Sequence, residues 1–176
     1  MLIAGVMGQD CMKFLPMCLK SLKEANKIVY IDGGSKDDSI EYAKKQGCEV
    51  IVNEYNQEDK GMNGKQRNVF LNYLKKNYPD DWCIFCDADE VVYDLNEVKK
   101  FIQTMKPGVY SPRMRHLIGN LGYEDSIKPE HFVLHRLFKI ECADKYPEME
   151  LDLSDILRLI FYLIHSPFLN LRFLHT

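Results

Sequence analysis

Hydrophobic positions along the chain follow two periods. Leu2 to Met7 is a short apolar run with glycine at 5 and 8, the pattern of a buried strand. Met12 to Ala25 places Phe14, Leu15, Cys18, Leu19, Leu22 and Ala25 on one helical face, with Asp10 the expected N-cap and Pro16 tolerated near the start. Lys27 to Ile31 predicts a second strand, Asp37 to Gln46 a helix closed by Gly47, and Cys48 to Val52 a third strand. After a polar stretch from Asn53 to Asn63, a helix is expected from Gly64 to Asn77, burying Val69, Phe70, Tyr73 and Leu74. Trp82 to Cys86 is an uninterrupted apolar strand. Leu95, Val98, Phe101, Ile102 and Met105 then mark a helix closed by Pro107-Gly108.

This βαβαβαβα alternation is the signature of an α/β fold, a mostly parallel, Rossmann-like sheet flanked by helices. Beyond residue 108 the pattern changes. Val109 to Ser111, Met114 to Ile118 and Val133 to Ile140 read as strands joined by turn-rich segments, and from Leu151 the chain is unusually apolar. One domain over residues 1–176 is expected, its second half mixed.

Composition narrows the function. With 23 basic against 26 acidic residues in 176, the net charge is -3 and no broad basic field exists to hold nucleic acid. The longest apolar stretch, Ile156 to Ile164, is interrupted by Arg158 and is far shorter than the roughly 20 residues of a membrane span. The opening residues lack the basic region of a signal peptide. Six cysteines lie scattered in apolar contexts, which suits reduced thiols in the cytoplasm. Cys83 and Cys86 form a C-x-x-C, but on a strand they point to opposite faces and suit neither zinc nor redox chemistry. None of the five histidines shows zinc spacing.

Ligands of open parallel sheets bind beyond the carboxyl ends of the strands. Strand two ends in Asp32-Gly33-Gly34-Ser35, and strand four in Asp87-Ala88-Asp89-Glu90. The third helix opens with Gly64-Lys65-Gln66-Arg67-Asn68. Asp87 and Asp89 could hold a divalent cation that keeps positions open for phosphate oxygens, Asp89 facing the metal and Asp87 a ribose hydroxyl. The same tripeptide could instead cap the next helix. Asp32 could pair with a base or ribose beside glycine backbone that a flat ligand can approach, while Ser35 or Asp37 caps the following helix. Lys65 and Arg67 could neutralise a diphosphate, or lie on a solvated helix face.

Together these segments resemble family 2 glycosyltransferases of the GT-A fold. "YIDGGSKDDS" is similar to that family's D-x-G-S-x-D-x-[ST] turn, "GKQRN" to its Arg-Asn element and "WCIFCDADE" to its D-x-D-E metal motif. The opening "LIAGVMGQDCMKFLPMCLKSL" resembles its first strand and helix, and His135-Arg136-Leu137-Phe138-Lys139 its R-L-F-[RK] strand. The resemblance implies a nucleotide-sugar-binding half over residues 1–107 and an acceptor half over 108–176, shorter than family domains usually are. It implies transfer of a sugar from a nucleotide-diphosphate sugar to a hydroxyl of a glycan or lipid-linked acceptor, with inversion and with Mn²⁺ or Mg²⁺.

By position, Asp32, Gly34, Ser35, Lys65, Arg67, Asp87 and Ala88 would bind the nucleotide sugar, with Asp89 and Asp87 at the metal. Asp89 would be catalytic, and Glu148 or Glu150, beside Asp152 in "YPEMELDL", would supply the base. His165 or His175 could be a third metal ligand. Gly33 stands where many members carry a second Asp, which alters recognition of the base. The expected location is the cytoplasm, with the inner membrane face as a peripheral site should Ile156 to Leu174 expose an apolar patch. The alternative reading is a GT-A-like nucleotide-binding module or truncated remnant without transferase activity. A nucleotidyltransferase is disfavoured, because Met7-Gly8-Gln9-Asp10-Cys11 has one glycine and no basic residue.

Overall fold

The structure, a computed structural model, describes residues 1–54, 62–118, 123–124, 136–143 and 168–175. Strands β1 (Leu2–Gly8), β2 (Lys27–Asp32), β3 (Glu49–Val52) and β4 (Trp82–Asp87) alternate with helices α1 (Leu15–Ser21), α2 (Ser39–Lys45) and α3 (Met62–Asn77). Strand β5 (Glu90–Val92) and helix α4 (Leu95–Thr104) follow, then β6 (Val109–Ile118), β7 (Tyr123–Glu124), β8 (Leu137–Lys139) and β9 (Phe168–His175). The sheet runs β3-β2-β1-β4-β8-β6-β9-β5, with β7 paired to β6. The first four strands are parallel. β8 pairs antiparallel with β4 and β6. The expected α/β class, with a parallel first half and a mixed second half, is the architecture observed.

Both faces of the parallel strands are apolar because helices cover both. Leu2, Ala4 and Val6 of β1, with Trp82, Ile84 and Cys86 of β4, pack on one side with Leu15, Leu19, Leu22 and Val98. Ile3, Val29, Ile31, Cys83 and Phe85 pack on the other with Phe70, Leu71 and Leu74 of α3. Cys83 and Cys86 thus face opposite layers, both reduced, and burial pushes both thiols well up. Close approach of α3 is possible because position 5 has no side chain. A Cβ there would lie 2.2 Å from the Phe70 ring.

Several boundaries differ from the pattern for identifiable reasons. α1 spans only Leu15–Ser21, since Asp10 adopts φ 48° and its carboxylate serves another loop rather than capping this helix. α2 starts at Ser39, whose N–H donates to Asp37 Oδ1, and ends before Gly47 at φ 79°. α4 is capped by Asp94, whose Oδ1 accepts from Asn96 and Glu97 N–H, so Asp87-Ala88-Asp89 is not its cap. The two pieces expected around Pro112 form one strand, β6, with an irregularity between Pro112 and Arg113, where proline lacks a donor. Of Val133 to Ile140, residues 137–139 are strand; residues 133–135 lie outside the described residues.

The apolar tail also gains a place. Phe168–His175 inserts between β6 and β5, so this part of the expected apolar patch is sheet-paired. Among the described residues no helix is long and apolar enough to cross a membrane.

An ion cluster ties the parallel edge together. Glu49 accepts from Lys27 Nζ at 2.8 Å, Tyr73 OH at 3.0 Å and Tyr78 OH at 2.7 Å. Burial alone would raise the Glu49 carboxyl, but these three donors hold it below its ordinary value, and Tyr78 is pushed up to about 12 by burial and by Glu49. A carboxyl lowered by folding stabilises the chain above its unfolded value of about 4.3 and loses that contribution as pH falls through the lower folded value. Glu49→Gln should therefore be about 1 kcal/mol less stable at pH 7, and the difference should shrink as pH falls below about 4.3 and vanish only below the lower folded value. Gly5→Ala should cost about 1–3 kcal/mol in urea unfolding, because Phe70 is fully packed and cannot withdraw.

Candidate functional site

The chain runs outward from β1 to β2 and β3, then returns through α3 to β4 on the other side of β1. This reversal leaves a crevice beyond the carboxyl ends of β1 and β4, where open α/β sheets bind ligands. A hollow of about 450 Å³ occupies it, lined by residues 7–11, Phe14, Gly33, Gln66, Arg67 and residues 87–89.

On the β2 side, Asp32 organises the loops. Its Oδ1 accepts from the N–H groups of Gly34 (2.8 Å) and Ser35 (2.6 Å), and its Oδ2 from Tyr30 OH (2.7 Å) and Ser35 Oγ (2.6 Å). The first two bonds bend the chain sharply, and Gly34 takes φ 91°, which a residue with a Cβ rarely adopts. The loop after β1 is stitched to this turn. Asp10 N–H donates to Ser35 Oγ at 2.8 Å, and Asp10 Oδ1 accepts from Lys36 N–H at 2.7 Å. Cys11 N–H donates to Ser39 Oγ at 3.1 Å, and Met12 N–H to Asp37 Oδ2 at 3.0 Å. Two loops from different strands thereby form one rigid wall.

On the α3 side, Gln66 is buried and exchanges hydrogen bonds with Asn53, its Nε2 donating to the Asn53 carbonyl and its Oε1 accepting from Asn53 Nδ2 at 3.0 Å. This pins the end of β3 to α3 and sets Arg67 over the hollow. The floor is the Asp87–Glu90 turn. Ala88 N–H donates to the Met7 carbonyl at 2.8 Å. A Cβ on Gly8 would meet Ala88 Cβ at 2.7 Å, so glycine permits this close seating.

Asp87 carries the charge balance. Its Oδ1 lies 3.4 Å from Arg67 Nη2 and its Oδ2 2.6 Å from Arg136 Nη2. Arg136 Nη2 also donates to Glu90 Oε1 at 2.7 Å, and Glu90 Oε2 accepts from Asp87 N–H at 2.8 Å. Both guanidinium groups lie against the Phe85 ring, with centroid distances of 5.6 Å for Arg67 and 5.4 Å for Arg136. Burial would raise the Asp87 carboxyl, yet Arg136 and Arg67 hold it below the usual carboxylate range.

The sequence-predicted residues therefore divide. Arg67, Asp87, Ala88 and Asp89 share the hollow. Asp32 is fully buried and turned inward, presenting the loop rather than its own carboxylate; Gly33 takes the place at the wall. Gly34 and Ser35 shape the turn behind it, and Lys65 does not line the hollow. Glu148, Glu150, Asp152 and His165 lie outside the described residues. His175 stands in register with Glu90 of β5 and His116 of β6, so the tail strand returns to the Asp87–Glu90 turn. Sequence reading missed Arg136 and Glu90 as parts of the site. The only signal was their place in the "HRLFK" and "DADE" strings, and a sequence separation of 49 between Arg136 and Asp87 hid the pairing. Gln9, Cys11, Phe14 and Gln66 were equally unmarked as wall residues.

A family model for glycosyl transferase family 2 matches residues 10–161, most of the chain. The chain belongs to that family. Solved structures agree in fold. The crystal structure of TarS 1–349 from S. aureus superposes with a TM-score of 0.66 at 18% identity, over 98% of this chain and 57% of that one. The same TarS fragment in complex with UDP gives 0.64 at 18% identity, over 98% and 57%. Its complex with UDP-GlcNAc gives 0.53 at 22% identity, over 72% and 37%. The GT-A fold expected from the sequence is thus the fold of this family 2 chain, which spans 57% of the TarS fragment.

Because four donors converge on Asp32, its removal takes the acceptor from the Gly34 and Ser35 N–H groups and Ser35 Oγ, while Tyr30 OH keeps Cys11 Sγ at 3.2 Å. Asp32→Ala in this family 2 domain should lower stability by about 2–4 kcal/mol in chemical unfolding. A loss under about 0.5 kcal/mol would show that the loop holds without it.

Proposed function

We propose that this chain transfers a sugar from a nucleoside-diphosphate sugar, a uridine diphosphate sugar in the first instance, to a hydroxyl of a glycan or lipid-linked acceptor. The observation that carries this reading is the hollow at the β1/β4 reversal, lined together by Arg67, Asp87 and Asp89 in a family 2 chain. TarS, of similar fold, has been solved with UDP and with UDP-GlcNAc.

In this reading Arg67 faces the diphosphate, and the glycine backbone at Gly33 and Gly34 lets the nucleoside approach the wall that Asp32 and Ser35 hold. Lys65, one residue from the lining, adds positive charge near the opening. Asp87 stays ionised between its two arginines and offers remaining lone pairs to a ribose hydroxyl, with Ala88 backbone beside it.

Among the described residues no three His, Cys, Asp or Glu side chains converge as a ready-made metal cage. The donor set still fits Mn²⁺ or Mg²⁺, which commonly take one or two carboxylates and complete their shell with water and substrate phosphates. Asp89 would hold the ion, and Asp87, with both oxygens already on arginines, contributes less than the sequence pattern suggested. Such an ion offsets negative charge gathering on the departing diphosphate. The register of His175 beside Glu90 makes it a reasonable further ligand.

The acceptor hydroxyl attacks the anomeric carbon from the face opposite the diphosphate. The new carbon–oxygen bond forms as the bond to the diphosphate breaks, and the hydroxyl proton passes to a carboxylate of the acceptor half, Glu148 or Glu150. Configuration is inverted. The work is placed in the cytoplasm, at the inner membrane face when the acceptor is lipid-linked.

Thermal shift with UDP, with and without Mn²⁺, tests the donor site. Saturation at 100 times Kd should add about 2.7 kcal/mol. Asp89→Asn should keep the ligand-free Tm within about 2 °C and lose the Mn²⁺-dependent part of the shift. No shift in either condition overturns the reading. UDP released from a UDP-sugar over time then separates a transferase from a module that only binds.

A further inference from the structure

We infer that Arg136 is a positioning residue for the metal-facing turn: from outside the donor half, it locks Asp87 through Glu90 into a single conformation that presents Asp89. The inference rests on the donor-site reading above and names the device that holds that site.

The geometry is a closed ring. Asp87 N–H donates to Glu90 Oε2 at 2.8 Å, Glu90 Oε1 accepts from Arg136 Nη2 at 2.7 Å, and the same Nη2 returns to Asp87 Oδ2 at 2.6 Å. One guanidinium nitrogen therefore clamps both ends of the turn, while Ala88 N–H is fixed to the Met7 carbonyl. Arg136 is itself anchored, since its carbonyl accepts from Phe85 N–H at 2.7 Å and its guanidinium lies against the Phe85 ring. The anchored backbone sits just before β8, so the second half of the fold contributes the clamp.

Two features argue against a merely structural ion pair. Arg136 is 2% exposed, and its Nε is buried with no hydrogen-bond partner among the described residues. Native cores rarely leave such a donor unpaired, and an apolar residue would fill the space without that cost. Arg67, which shares Asp87, differs from Arg136: it lines the hollow, its Nη2 sits farther away at 3.4 Å, and its side chain is 21% exposed against 3% for Arg136. The division follows. Arg67 can turn toward a diphosphate, and Arg136 keeps Asp87 compensated and in place when it does.

The test uses the full chain. Arg136→Met alone leaves buried Glu90 and half-buried Asp87 with too little positive charge and risks misfolding. Arg136→Met/Glu90→Gln removes one charge of each sign and keeps a carbonyl acceptor for Asp87 N–H. In the ligand-free protein this pair should speed hydrogen exchange at the amides of residues 87–89 by about tenfold relative to those of β1. By calorimetry, the gain in UDP affinity that Mn²⁺ confers should fall about tenfold or more, the usual loss when the group orienting a metal ligand is removed. Metal-free UDP affinity should fall by less than the Mn²⁺ gain does, since Arg67 and the Gly33 wall are left in place. Arg136→Lys should recover part of the Mn²⁺ gain. Unchanged exchange, or an unchanged Mn²⁺ gain in a chain that binds UDP, overturns the inference. A wild-type chain that does not bind UDP at all defeats the donor-site reading instead, and the exchange measurement, which needs no ligand, still decides the positioning role.

Discussion

At the end of β4, one carboxylate is shared by two guanidinium groups, and the site hangs on that sharing. Asp87 sits where the chain leaves the parallel strands and turns into β5, which pairs with β9 rather than with β4. Glu90 is buried and Asp87 half-buried, and taking carboxylates out of water costs free energy before any attraction is counted. Here Asp87 and Glu90 are matched by Arg67 and Arg136, so the group is close to neutral. Directed bonds of 2.6–2.8 Å from Arg136 then convert that neutrality into a fixed shape. Removing one partner breaks the match, whereas removing a charge of each sign preserves it.

The opposite wall solves a different problem, using carboxylates and a hydroxyl as acceptors for backbone donors. A tight turn after β2 and a loop after β1 expose backbone N–H donors that need acceptors. Asp32 satisfies two of them, Asp10 takes Lys36 N–H, Asp37 takes Met12 N–H, and Ser39 takes Cys11 N–H. Acidic side chains that look available for ligand are thus spent on the wall. What remains for a ligand on this side is backbone and the glycine surface at Gly33, together with Gln9, Asp10 and Phe14. The charged chemistry is concentrated across the hollow, at Arg67, Asp87 and Asp89. The two walls therefore divide into one that shapes and one that carries charge.

The legible part of the fold was the part governed by local periodicity. β1, β2, β4 and the helices α3 and α4 are long enough, and apolar enough on defined faces, for their period to identify them. β5 has three residues and β9 depends on partners in β5 and β6, so neither carries a local signal that separates it from a turn or an apolar tail. Asp10 misled for a related reason. An acidic residue before a helix looks like a cap, but only the spatial neighbour, the turn at residues 33–39, shows which amides it serves. Of the site, Arg67, Asp87, Ala88 and Asp89 could be found because strand ends and a helix start announce themselves. Arg136 could not, since its meaning lies in a partner 49 residues away.

Asp32 stands where the pattern expects a nucleotide contact, and its carboxylate is turned into its own loop. Its position at the carboxyl end of β2, before two glycines, is where a nucleotide contact would sit, and that is what the pattern suggested. Yet a carboxylate with no exposure and four donors at 2.6–2.8 Å has its directed capacity occupied by its own turn and by Tyr30. A base reaching its carboxylate would have to displace one of these four donors. The backbone of Gly33 and Gly34 can approach a flat ring only while Asp32 holds it bent. Its contribution to binding is then geometric, and substitution there should alter the shape of the wall before it alters any ligand contact.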